Sequence, residues 1–140
     1  RIDAPIYLQD VMPTSLELAG SNTEDVDFKS LLPLLHGEKK QSYDEIYGAY
    51  LSRQRMITKD GWKFLWYPTA GVERLFNLKK DPFEKNDLAA HPEHAPRLKQ
   101  MRAALAKLSK EMDDPGVGEK KTPAARPAKA KAKTGAKSRK

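Results

Sequence analysis

Few side chains in this sequence have the type and spacing to do chemistry. His91 and His94 stand three residues apart where a helix is expected to begin, close to Asp87 and Glu93. Such a pair can share a metal ion, or it can be loop and cap residues in solvent. The spacing alone is a weak metal signal, so we take the second reading. His36 is isolated and reads as structural. Arg55, Lys59 and Lys63 lie among Trp62, Phe64, Trp66 and Tyr67. Arg55 opposite Trp66 and Lys59 opposite Trp62 can form cation–π pairs. They can equally be basic side chains lying over aromatics in ordinary cross-strand pairing, which is the reading taken. The functional alternative has Arg55 or Lys63 reaching an anionic ligand. The chain contains no cysteine, so it holds no thiolate nucleophile, disulfide or cysteine-ligated metal. It also has no glycine-rich phosphate loop, no His-Glu-x-x-His and no Gly-x-Ser-x-Gly. We therefore assign no catalytic, cofactor-binding or metal residue.

The elements that would position these groups centre on residues 43–88. Arg53-Gln54-Arg55-Met56-Ile57-Thr58-Lys59 and Trp62-Lys63-Phe64-Leu65-Trp66-Tyr67 flank Asp60-Gly61. Asp-Gly between two β-rich runs predicts a hairpin with a type I′ turn, which needs positive φ at both central residues. Lys59 then faces Trp62, Ile57 faces Phe64 and Arg55 faces Trp66. That face is expected to cover a core, with Met56, Thr58, Lys63, Leu65 and Tyr67 on the other. A strand over 43–51 carries Ile46, Gly48 and Tyr50 on one side and Tyr47, Ala49 and Leu51 on the other, as suits a central strand. A fourth strand is expected at 73–78. The cover is a helix from Pro92 to Lys110 with apolar residues at Leu98, Met101, Leu105, Leu108 and Met112, an amphipathic seam. Pro92 suits its first position, and Glu93 and Lys110 suit its two ends. Between strand and helix, Asp81-Pro82, Glu84 and Asn86-Asp87 read as turn chemistry.

Upstream, residues 8–19 predict a helix with Asp10 as N-cap, Pro13 in the first turn and Gly20 just past the end. Val11, Leu16 and Ala19, with Met12 and Ser15, form its apolar face. Phe28, Leu31, Leu32, Leu34 and Leu35 cluster around Pro33. That is much apolar surface for a connecting loop, and it should pack under the helix or on something outside this chain. The fold class expected is α+β, a four-stranded antiparallel sheet covered by a C-terminal helix and preceded by another helix.

The net charge of +7 is unevenly spread. Residues 1–116 hold 17 Lys/Arg and 18 Asp/Glu, a balance of −1, and residues 117–140 hold 9 Lys/Arg and 1 Glu, a balance of +8. The expected fold thus has no basic excess to drive phosphate binding. The Lys/Ala/Pro-rich tail lacks apolar periodicity and reads as disordered. It also lacks the aromatics of a stacking platform, so nucleic acid is not the expected partner. No apolar run approaches the roughly 18 residues of a membrane span.

Four stretches carry a resemblance. Asp10-Val11-Met12-Pro13-Thr14-Ser15-Leu16-Glu17-Leu18-Ala19-Gly20 is similar to the Asp-x-x-Pro-Thr-Leu-Leu-x-Leu-Ala-Gly helix near the end of the sulfatase catalytic domain. Phe28-Lys29-Ser30-Leu31-Leu32-Pro33-Leu34-Leu35-His36-Gly37 resembles the run that follows it. Gly61-Trp62-Lys63-Phe64-Leu65 resembles a strand of the sulfatase C-terminal subdomain. The stretch from Leu75 to Ala89 is similar to the signature Leu-Tyr-Asp-Leu-x-x-Asp-Pro-x-Glu-x-x-Asn-Leu-Ala. The resemblance covers about residues 1–115, to the arylsulfatase and N-sulfoglucosamine sulfohydrolase type. It implies that 1–40 end an alkaline-phosphatase-like α/β catalytic domain, that 41–115 form its C-terminal subdomain, and that 116–140 lie outside. The longer protein would hydrolyse sulfated carbohydrate or aryl sulfate, use formylglycine and calcium, and be periplasmic or secreted. The chain itself, a C-terminal fragment on this reading, would support the missing catalytic domain and not be catalytic alone. Arg55 and Lys63 would be rim contacts of the substrate cleft. The alternative is a stand-alone module binding an anionic polymer, polysaccharide or nucleic acid, through its basic tail.

Overall fold

The computed structural model describes residues 1–114, so the reading of 116–140 as disordered lies outside the described residues. A 3₁₀ turn at Leu8–Asp10 runs into helix α1, Val11–Leu18, and a single helical turn, α2, follows at Leu32–Leu35. Strands β1 (Glu45–Tyr50), β2 (Gln54–Lys59), β3 (Trp62–Tyr67) and β4 (Val72–Asn77) come next. A 3₁₀ turn at Pro92–His94 then leads into helix α3, Ala95–Glu111. The strands form one antiparallel sheet in the order β1-β2-β3-β4, the expected α+β arrangement.

The hairpin register is the expected one. Lys59 pairs with Trp62, Ile57 with Phe64 and Arg55 with Trp66. Asp60 and Gly61 hold φ of 53° and 78°, the two positive values of a type I′ turn. The same register puts Tyr47, Ile57, Phe64 and Leu75 in one row across all four strands. Leu98, Met101 and Leu105 of α3 close over that row to make the core. Ile57, Phe64, Leu75 and Met101 are fully buried, and each such side chain contributes about 1.5–3 kcal/mol.

Three expectations for the sheet and α3 are corrected. β1 is an edge strand, not a central one. Ile46 and Tyr47 are buried on opposite faces, as a central strand would have them, but Ala49 and Tyr50 are exposed. The seam of α3 does not extend to Met112, which is 52% exposed. Ser109 is buried in its place, and the chain turns back at Asp113, where φ is 49°. Pro92 opens the 3₁₀ turn, while Pro96 occupies the first turn of α3.

At α1 the stop signal is as expected and the start is not. Gly20, at φ 69°, donates to Glu17 O, and Ser21 N–H donates to Leu16 O, the paired bonds of a Schellman ending. Asp10, however, does not cap α1 with its side chain. Its carboxylate reaches back to Tyr7 N–H at 2.8 Å and is wholly buried. The expected apolar face of α1 is also not a core face. Pro13 and Thr14 are its buried residues, and Val11, Met12 and Leu18 are exposed.

Candidate functional site

The groups singled out for chemistry are placed apart and occupied. Arg55 is only 3% exposed. Its Nη1 donates to Leu51 O at 2.6 Å and Gln54 O at 2.8 Å, and its Nη2 donates to Asp114 Oδ1 at 2.8 Å. Nε lies against Asp114 Oδ2 as an ion pair, without the angle of a hydrogen bond. Tyr47 Oη donates to the same carboxylate, and Ser109 Oγ donates to Asp114 O at 3.4 Å. Burial, and then the bond to Asp114, push the Tyr47 phenol up to about 12. Arg55 is therefore a clamp holding the end of α3 against β1 and β2, and the expectation that it forms a cleft rim is corrected. The cause is its register: the pleat turns Arg55 to the face covered by α3, where a guanidinium requires a carboxylate.

Lys59 pairs with Glu45, its cross-strand neighbour, and not with Trp62. Trp62 instead receives the Arg97 guanidinium, 5.4 Å from its ring centroid, and His94 edge-on at 5.4 Å. Lys63 is half-buried on the opposite sheet face and donates to Glu84 Oε1 at 2.7 Å. His91 and His94 have ring centroids 6.3 Å apart, and no three potential ligands converge among the described residues. His36 faces Glu38. Among the described residues no ligand cluster for calcium occurs, and the sequence holds no Cys/Ser-x-Pro-x-Arg from which a formylglycine could arise.

The segment from Asp81 to Ala89 is turn chemistry, as expected. Asp81 Oδ2 accepts from Asn86 N–H at 2.7 Å, and backbone donors at Asn86 and Lys85 hold its carboxyl below its usual range. Asp87 Oδ1 accepts from Leu75 N–H and Ala89 N–H, both at 3.0 Å, and Leu88 N–H donates to Leu75 O. The turn thus satisfies the outer edge of β4 at Leu75. Two polar grooves meet at Gln41, Tyr43 and Asp44. One adds Lys29, Lys107 and Glu45, the other Lys59, Lys79 and Asp60. Each carries two lysines and two carboxylates, so neither favours an anion.

What stands out is an apolar surface on the N-terminal segment. Ile2, Ile6, Leu8, Val11, Met12, Leu18 and Leu35 are all exposed, with Leu8 at 85% and Leu18 at 71%. Ile2, Ala4, Ile6, Leu31, Leu34 and Leu35 line a groove of about 110 Å³. The groove gathers Ile2, Ile6 and Leu35 of these, and grouped apolar surface is what an interaction site offers. Of the apolar residues at 28–35 that the sequence marks as an excess, only Leu35 is exposed, Leu34 is buried and Phe28, Leu31 and Leu32 are half-buried, so the bare surface lies mainly on α1 and the segment before it.

Comparison with known proteins assigns the chain. The family model described as "N-sulphoglucosamine sulphohydrolase, C-terminal" matches residues 2–111. The chain belongs to this sulfatase C-terminal family. It is 34% identical over 110 residues to an arylsulfatase of Clostridium perfringens, covering 75% of this chain and 23% of that protein. It is 32% identical over 105 residues to a Delta 4,5-hexuronate-2-O-sulfatase of Bacteroides thetaiotaomicron, covering 69% and 22%. A solved 2-O GAG sulfatase superposes with a TM-score of 0.65 at 31% identity, over 75% of this chain and 25% of that one. The sulfatase C-terminal unit thus spans under a quarter of the length of these two curated relatives. Among the described residues no helix is long and apolar enough to cross a membrane.

Proposed function

We propose that this unit is the buttress of a sulfatase. It docks through the bare face of residues 2–35 onto a catalytic α/β domain, and that domain carries the reactive groups. Residues 1–40 complete the catalytic domain on this reading, and 41–115 form the subdomain beside it. The reaction of the assembled protein is hydrolysis of a sulfate ester, with sulfated carbohydrate or aryl sulfate as the substrate class. The names of the relatives support that class.

The observation that carries the reading is the division of apolar residues. The core draws on Tyr47 to Leu105, whereas before residue 40 Ile2, Ile6, Leu8, Val11, Met12, Leu18 and Leu35 are exposed and only Leu34 among the large apolar side chains is buried. A stand-alone domain has no reason to leave such a face to water. The residue chemistry agrees, because among the described residues the clamp and the ion pairs leave no nucleophile poised beside a base. Lys63, paired with Glu84 on the sheet face away from α3, remains as a rim contact.

The test is turnover. The 140-residue chain, given a chromogenic aryl sulfate and calcium, should release no product above buffer. Clear turnover by this chain would overturn the reading.

A further inference from the structure

We propose that residues 1–37 and the sheet with α3 are two cooperative units fastened by one polar joint at Asp10. A catalytic domain docked on the bare face then acts on the sheet through that joint; this consequence rests on the docking reading, and the joint itself does not.

The two units are packed separately. The core of Tyr47, Ile57, Phe64, Leu75, Leu98, Met101 and Leu105 contains no residue before 47. Inside the N-terminal unit, Thr14 Oγ1 donates to Asp10 O at 2.6 Å and accepts from Leu31 N–H at 2.8 Å, tying α1 to the turn before α2.

Between the units the fastening is directional and polar. Asp10 Oδ1 accepts from Tyr43 Oη at 2.6 Å and from Lys29 N–H at 3.3 Å, while Oδ2 accepts from Tyr7 N–H. Tyr43 Oη in turn accepts from Lys29 N–H at 3.0 Å. Tyr7 Oη accepts at 2.7 Å from Tyr47 N–H, on the free edge of β1. The Tyr7 ring stands edge-on to Tyr43 at 4.9 Å and to Phe28 at 5.6 Å. Lys29 Nζ donates to Ser42 O at 2.7 Å. The donors to the Asp10 carboxylate are thus one phenol and two backbone amides. A wholly buried carboxylate depends on every one of them.

Tyr43→Phe removes the phenol donor and keeps the ring packing. Hydrogen bonds to charged groups are worth about 1.5–3 kcal/mol, or roughly tenfold to a hundredfold in an opening equilibrium. Amide hydrogen exchange on the intact 140-residue chain is the assay. In the wild type, Ala19 and His36 amides, which close α1 and α2, should exchange through easier openings than amides of β2, β3 and α3. In Tyr43→Phe, exchange in residues 1–37 should quicken by about tenfold to a hundredfold, with the sheet and α3 unchanged. Tyr7→Phe, which removes the acceptor of the Tyr47 amide, should act in the same direction and less. Equal quickening in both units, including global unfolding of either variant, would mean one cooperative unit and overturn the proposal. No quickening in either unit would overturn it too. This selective pattern, with no added protection of residues 2–35 when a sulfatase catalytic domain is fused ahead of Arg1, would refute docking and leave the joint standing.

Discussion

Removing the Asp114 carboxylate should be the most costly single change outside the apolar core. The Arg55 and Asp114 side chains are 4% and 9% exposed, so Asp114→Ala leaves a guanidinium charge buried beside β1. Nε and Nη2 lose their carboxylate, and the Tyr47 phenol loses its acceptor. Breaking a buried pair costs about 3–5 kcal/mol because the remaining charge is uncompensated. Arg55 keeps Leu51 O and Gln54 O, so the lower figure applies. About 3 kcal/mol lowers the melting temperature by roughly 12–24 °C in a domain of about 100 residues. Urea denaturation followed by far-UV circular dichroism measures it, with the slope unchanged and the midpoint lowered. The double variant Arg55→Met with Asp114→Ala decides the cause. It removes the charge along with its partner, so it should be more stable than Asp114→Ala alone. A single variant within about 0.5 kcal/mol of wild type, or a double variant that is simply additive, would refute the clamp.

Two further outcomes follow from the same geometry. Leu8→Asp with Leu35→Asp should change unfolding free energy by no more than about 0.5 kcal/mol each, since both side chains are exposed, and should reduce binding of a hydrophobic dye; loss of folding would show that the face belongs to the core. Stability should fall on the alkaline side. Tyr43 is pushed up to about 12 by burial and then by its bond to Asp10, and Tyr47 to about 12 by burial and then by Asp114, from an ordinary value of 10.0. A raised folded value means stability that is complete below about pH 10 and is lost as pH rises through about 12; a urea midpoint flat across that window would contradict it.

The parts of the fold legible in the sequence are those fixed by near neighbours. Asp60-Gly61 sets a two-residue turn, the turn sets the register of Ile57 against Phe64, and the pleat then assigns every side chain to a face. The Leu98, Met101, Leu105 spacing gives a helical seam without knowledge of its partner. Legibility fails where a partner is distant. Asp10 carries every mark of an N-cap, and nothing local says that its carboxylate meets Tyr43, 33 residues on. Asp114 lies 59 residues from Arg55, just past α3. A signal was present: register places Arg55 on the core face, and a cation there demands a carboxylate from the covering helix or its end. β1 was misplaced because alternation reports burial of faces, whereas edge or centre depends on hydrogen-bonding neighbours.

If the bare face docks a catalytic domain as proposed, its energetics favour a tethered partner over one that diffuses. Burying a large apolar side chain is worth about 1.5–3 kcal/mol. Seven side chains that are already partly covered would then yield on the order of 10 kcal/mol. Association of separate molecules costs an estimated 4–15 kcal/mol in lost freedom. A free catalytic domain would therefore settle only weakly on this surface. On the proposed reading, a domain tethered to this chain would sit at an effective concentration of about millimolar or higher, and most of that cost would disappear. On the proposed reading, the face is large enough to hold a tethered neighbour and too small to recruit a free one. Such a junction also needs something other than apolar contact to fix its angle, because apolar burial is non-directional. Asp10, with its three donors, supplies direction one step inward, where the N-terminal segment that carries the bare face meets the sheet.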